Sequence, residues 1–121
     1  MQLLLAITIA AFSSLAAAQN WIGLLKNTPA ERFDEEDLRL FLDNSRKALA
    51  EGKDNETSSW ENAKTRARGD VTVLRSFESK GRPCKEVRVH NEAQGRKNTS
   101  TLSLCQVDGK WRLLSASQLK K

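Results

Sequence analysis

Few residues of this chain could carry chemistry. His90 is the only histidine and the natural candidate for acid–base work, with Glu86 and Glu92 close enough in sequence to orient it. Cys84 and Cys105 are the only cysteines; with His90 they fall short of the ligands a zinc site needs, and no Cys-x-x-Cys pair offers dithiol redox chemistry. No Gly-x-Ser-x-Gly elbow, phosphate loop, His-Glu-x-x-His helix or calcium-binding loop can be traced. The richer feature is cationic. Arg66, Arg68, Arg75, Arg88, Arg96, Lys97, Arg112, Lys120 and Lys121 could form a positive surface for anionic polymers or headgroups. Arg88 and Arg112 are expected on one polar sheet face, where two guanidiniums can grip an anion, and Arg75 joins them as a candidate partner-binding residue. No catalytic residue, metal ligand or cofactor site is expected.

The elements that position these groups begin with a leader. The first 18 of 121 residues carry no charged side chain. An apolar run from Leu3 to Phe12, followed by small residues ending Ala16-Ala17-Ala18, has the form of a secretory signal peptide with cleavage before Gln19. No Lys or Arg precedes the run, and no cysteine follows it for lipidation. If the leader is instead retained, it is a short N-terminal anchor; once it is removed, no transmembrane span is expected. Residues 19–121 are then one domain with room for one modest core. An even pair of cysteines in an exported chain reads as a disulfide.

Charge divides unevenly along the domain. Overall the chain carries 20 Lys and Arg against 15 Asp and Glu, a net charge of +5, and its mean hydropathy is −0.55. Residues 19–59 hold six basic and nine acidic side chains, whereas residues 60–121 hold fourteen basic and six acidic ones. Residues 19–57 read as a helical segment and 58–121 as a β-meander. Within the first, Asp34 is a good N-cap, Glu35, Glu36 and Asp37 suit the positive end of a helix dipole, and Phe33 and Leu38 could form a hydrophobic staple. Leu38, Phe41, Leu42 and Leu49, with Ser45 among them, mark one face of a helix over about 34–51, stopped at Gly52. Thr28-Pro29-Ala30-Glu31 repeats the cap logic as a short extra turn, and Trp21, Ile22, Leu24 and Leu25 are expected to pack on the same core.

Strands are expected near 58–64, 70–78, 84–91, 99–106 and 110–116, separated by turns at 67–69, 79–83, 93–95 and 108–109. Asp108-Gly109 is a strong two-residue hairpin signal. A hairpin centred between Gln94 and Gly95 places Cys84 directly opposite Cys105, with their Cα atoms expected roughly 5.5 Å apart. That register gathers Val87, Val89, Leu102, Leu104, Trp111 and Leu113 on the face that should receive the helix. Glu86, Arg88, His90, Thr101, Ser103, Arg112 and Leu114 join the disulfide on the other. The fold class is therefore α+β, one main helix on a five-stranded antiparallel meander with a cross-strand disulfide.

Ser59-Trp60-Glu61-Asn62, Gly69-Asp70-Val71-Thr72, Gly81-Arg82-Pro83-Cys84-Lys85-Glu86 and Leu104-Cys105-Gln106-Val107-Asp108-Gly109-Lys110-Trp111-Arg112 occur in that order. Over about residues 60–114 this resembles the 17 kDa surface-antigen-like family of Gram-negative bacteria. The resemblance implies a cell-envelope location and antigenicity, and no established reaction or ligand. The family's lipidated cysteine and glycine-zipper segment are absent; an acidic helix stands in the zipper's place, which favours a soluble periplasmic form.

The expected function is accordingly that of an exported, non-enzymatic envelope protein that binds an anionic component such as peptidoglycan or lipopolysaccharide, or another envelope protein. Nucleic acid is disfavoured by export and because Trp60 and Trp111 read as core rather than as a stacking platform. The alternative is a small periplasmic enzyme with a pocket between helix and sheet that converges on His90. A third option is an assembly subunit that docks a partner on an edge strand.

Overall fold

A computed structural model describes residues 28–114. The leader, the Trp21–Leu25 stretch and the residues after Leu114 lie outside them. A 3-10 turn, Pro29–Arg32, leads to helix α1, Glu35–Glu51, and then to strands β1 (Thr57–Glu61), β2 (Arg68–Ser79), β3 (Arg82–Ala93), β4 (Arg96–Val107) and β5 (Lys110–Leu113). The strands pair in sequence order as one antiparallel sheet. This is the expected α+β arrangement.

Helix α1 starts where its capping chemistry dictates. Asp34 accepts the Asp37 N–H at 2.8 Å, and Asp37 accepts the Asp34 N–H at 3.0 Å, closing a reciprocal capping box. Its buried residues, Asp37, Phe41, Asn44, Ser45, Ala48 and Leu49, recur at three and four and so form one stripe. Leu38 and Leu42 flank that stripe and are half-buried. Phe33 stands edge-on to Trp60 with ring centroids 5.1 Å apart and lies 6.0 Å from Phe41, fixing the entry to the helix. Gly52 ends the helix for a reason other than a left-handed conformation. Its φ is −70°, but a Cβ there would collide with the Ala48 carbonyl and with Val73. The last turn holds no basic residue; Lys85 of β3 supplies the cation instead, its Nζ donating to the Gly52 carbonyl at 2.7 Å.

The β3–β4 register is the expected one, with Cys84 opposite Cys105 and His90 opposite Thr99. Cys84 and Cys105 form a disulfide, with Cα atoms 4.0 Å apart rather than the roughly 5.5 Å expected, nearer the close spacing of a non-hydrogen-bonded pair. Three hairpins turn on two residues, Lys80-Gly81, Gln94-Gly95 and Asp108-Gly109, all with positive φ. The strands are correspondingly longer than expected at these turns, and the Ser79–Pro83 loop contracts to two residues. Strand β1 is shorter, because the Asn62 N–H turns away to the Ala67 carbonyl and the Arg66 N–H to the Asn62 carbonyl.

The core lies between α1 and one sheet face, where Phe41, Ala48 and Leu49 meet Trp60, Val71, Val73, Val87, Val89 and Leu104. Leu102, Trp111 and Leu113 extend it as half-buried neighbours. A bulge interrupts β2: Val73 pairs with Val87 and Arg75 with Glu86, leaving Leu74 without a partner. The bulge reverses the alternation, so that Val71 and Val73 face the core while Arg75 and Phe77 come to the face of the disulfide.

Candidate functional site

Side chains alternate across a strand, so the register assigns the groups on the open sheet face. They include Ser59 and Glu61 of β1, Arg68, Asp70 and Thr72 of β2, Glu86, Arg88, His90 and Glu92 of β3, and Thr99, Thr101 and Ser103 of β4. A cleft of about 500 Å³ opens on this face, lined by Ser59, Glu61, Arg68, Asp70, His90 and Glu92 among others. Gly69 at its edge tolerates no side chain, because a Cβ would meet Asn91 Oδ1 and Trp60 Nε1.

His90 is held at both ring nitrogens. Its Nε2 lies 2.9 Å from Glu92 Oε2 and its Nδ1 2.8 Å from Thr99 Oγ1. Arg68 donates to the second oxygen of Glu92 at 3.1 Å. The hydrogen bond from His90, together with the Arg68 guanidinium, outweighs partial desolvation and holds the Glu92 carboxyl below its ordinary range. Thr99, His90 and Glu92 thus form a hydroxyl–imidazole–carboxylate row, the order in which a base is oriented toward a nucleophile. Of the two carboxylates considered for His90 in the sequence, Glu92 is the partner; Glu86 is engaged by Arg75. The row lies on the face away from α1, so the pocket between helix and sheet is not where His90 sits.

The three candidate arginines lie on the open face but are spread across it. Arg75 is committed within the fold: its Nε is 3.2 Å from Glu86 Oε1 and its guanidinium lies 4.4 Å over the Phe77 ring. Arg88 and Arg112 are exposed. Their partners on β4 are Thr101 and Cys105, four residues apart. That separates their backbones by about 14 Å along the strands and about 10 Å across them. A single small anion is therefore not gripped by both.

A tighter cationic group lies at the end of the sheet where the β1–β2 loop meets the β3–β4 turn. A cavity of about 180 Å³ is lined there by Thr65, Arg66, Glu92, Ala93, Gln94, Gly95, Arg96 and Lys97. The loop is anchored by Asp37. Its Oδ1 accepts from Asn62 Nδ2 and from Thr65 Oγ1, both at 2.7 Å, while Oδ2 holds the helix cap. Burial pushes the Asp37 carboxyl up, but the hydrogen bonds from Thr65, the Asp34 backbone and Asn62 outweigh it and bring it below its ordinary range. Arg66 follows Thr65 with φ of 71°, a left-handed conformation costing an ordinary side chain about 1–2 kcal/mol. Arg66, Arg96 and Lys97 are visible in the sequence as cations, but nothing in their spacing marks them as neighbours. The juxtaposition depends on contacts between residues 25 or more apart in sequence.

Among the described residues, no three His, Cys, Asp or Glu side chains gather to hold a metal ion, and no helix is long and apolar enough to cross a membrane. No protein-family model, curated protein or solved structure matches the chain.

Proposed function

We propose that this chain is an exported, non-enzymatic domain of a bacterial cell envelope that binds an anionic envelope component or an acidic partner protein through the cations of its sheet. The observation that carries the reading is that Arg66, Arg88, Arg96, Lys97 and Arg112 are all exposed, and among the described residues none has a carboxylate within ion-pair distance. Cations paired within the fold, such as Arg75 with Glu86, have little charge left to offer; these five retain theirs. The disulfide supports an oxidising compartment, and the leader-like first 18 residues and the resemblance over residues 60–114 support the envelope. The test is retention of the oxidised full chain on immobilised lipopolysaccharide and on peptidoglycan. Retention at low salt that is released as sodium chloride is raised supports the reading. Absence of retention at low salt, or retention indifferent to salt, refutes it.

The second reading is a hydrolytic enzyme using Thr99, His90 and Glu92. It is favoured by the 2.8 and 2.9 Å contacts of the imidazole beside an open cleft. Ester hydrolysis abolished by both Thr99→Val and His90→Ala would establish it, and hydrolysis unaffected by either would remove it.

A further inference from the structure

The cavity between the β1–β2 loop and the β3–β4 turn is predominantly cationic in its charged groups. Arg66, Arg96 and Lys97 bring three positive charges to its wall. Gln94 lines it as well, and Arg32 Nη1 donates to Gln94 Oε1 at 3.3 Å, which leaves the amide NH2 of Gln94 to donate elsewhere. The one acid in the wall, Glu92, has both oxygens occupied, Oε1 by Arg68 and Oε2 by His90. Its charge is thus answered before any ligand arrives. With three cations against one paired carboxylate, the local excess is cationic.

Rigid elements hold this arrangement. Thr65 is tied to the buried carboxylate of Asp37, the Arg66 N–H to the Asn62 carbonyl, and the Gln94-Gly95 turn closes two twelve-residue strands. Arg66 keeps a left-handed backbone in a position where Gly or Asn would be at ease. At about 30 Å³ for each water, the cavity holds the volume of about six. That admits a tetrahedral oxyanion, with whatever carries it lying outside.

We infer that this cavity is a binding site for a phosphoryl group, borne by an envelope glycan or lipid headgroup or present as free phosphate. Several donors converging on a multiply charged oxyanion are the arrangement that phosphate recognition uses, and arginine serves it through paired N–H donors. The inference rests on the anionic-partner reading and narrows it to one end of the sheet, in place of the Arg75, Arg88 and Arg112 face.

The test is an amide and arginine side-chain NMR titration of the oxidised full chain at low salt. The probes are inorganic phosphate, glycerol phosphate and uncharged glycerol. Saturable shifts at Arg66, Gln94, Gly95, Arg96 and Lys97 are expected with both phosphates and not with glycerol. Tighter binding of glycerol phosphate than of inorganic phosphate points to a carried phosphoryl group, and the reverse order to the free ion. Affinity should fall by about tenfold or more in Arg66→Gln/Arg96→Gln and remain within about twofold in Arg46→Gln/Lys47→Gln, which removes two exposed cations of α1. Shifts centred on Arg88 and Arg112, or shifts that never saturate, overturn the inference. Retention on lipopolysaccharide that survives Arg66→Gln/Arg96→Gln and is lost in Arg88→Gln/Arg112→Gln overturns it while leaving the proposed function standing. No retention of the unaltered chain removes both.

Discussion

Asp37→Asn isolates the interaction that holds the β1–β2 loop, and so Arg66, against the helix. Asp37 is 1% exposed and accepts three hydrogen bonds, from Asn62, Thr65 and the Asp34 N–H. The amide has nearly the carboxylate's shape but only one acceptor. If its oxygen replaces Oδ1, the NH2 meets the Asp34 N–H donor to donor; if flipped, it meets Asn62 and Thr65. Either way a donor loses its acceptor, and the bonds that survive lose the negative charge. Hydrogen bonds to charged groups contribute about 1.5–3 kcal/mol each and are not additive. The expected loss is therefore about 2–3 kcal/mol at pH 7, a large share of the roughly 5–15 kcal/mol typical of a whole domain. Urea unfolding of wild type and variant, with equal slopes, measures it. The folded pKa of Asp37 is depressed, so the group binds its proton less readily folded than unfolded. Its contribution is complete above the unfolded value, about 3.9, and disappears as pH falls through the lower folded one. The gap between wild type and variant should narrow over that interval. A gap under about 0.5 kcal/mol at pH 7, or one that does not narrow in acid, refutes the reasoning.

Replacing both Cys84 and Cys105 by Ala removes a crosslink of 21-residue separation and should lower stability by about 3 kcal/mol while leaving the far-ultraviolet circular dichroism unchanged. Lys85→Met should cost about 1–2 kcal/mol in the same urea assay, because the Gly52 carbonyl at the helix end loses its cation. Gly69→Ala should cost more than about 2 kcal/mol, since its Cβ has no space beside Asn91 and Trp60, and its amide spectrum should change across β1–β3. Fractionation of a Gram-negative host expressing the full chain should recover it in the envelope, about two daltons lighter than its reduced form and unreactive to alkylation. Recovery in the cytoplasm with both thiols alkylated would contradict export.

The parts of the fold legible in the sequence were those decided locally. Asp34 and the acids after it mark a helix start because capping spans four residues. Gly95 and Gly109 mark hairpin turns because glycine takes positive φ freely, whereas the turn at Lys80-Gly81 reads in the sequence as the longer stretch 79–83 and proves to need only those two residues. From the Gln94-Gly95 turn, strict alternation carries the register ten residues back to Cys84. What was hidden depends on distant partners. The Leu74 bulge has no local signature, yet it decides that Arg75 and Phe77 face the disulfide. Asp37 reads as one more acid in a first helical turn; only the folded chain brings Asn62 and Thr65 to it and makes it the hub of the loop. Arg66 was visible as a charge, but its left-handed backbone and its nearness to Arg96 follow from that closure. The same is true of Glu92, which Arg68 fixes from 24 residues away.

The most direct test of the central claim is the salt dependence of affinity for lipopolysaccharide, measured on the oxidised full chain beside Arg66→Gln/Arg96→Gln/Lys97→Gln. Polyelectrolyte contacts release condensed ions, and each cation lost should flatten the slope of log affinity against log salt by somewhat less than one, about two units for the three. The account predicts a steep slope for the unaltered chain and that flattening in the variant, with the fold intact by circular dichroism. Equal slopes, or an unaltered chain with no affinity at low salt, would contradict it.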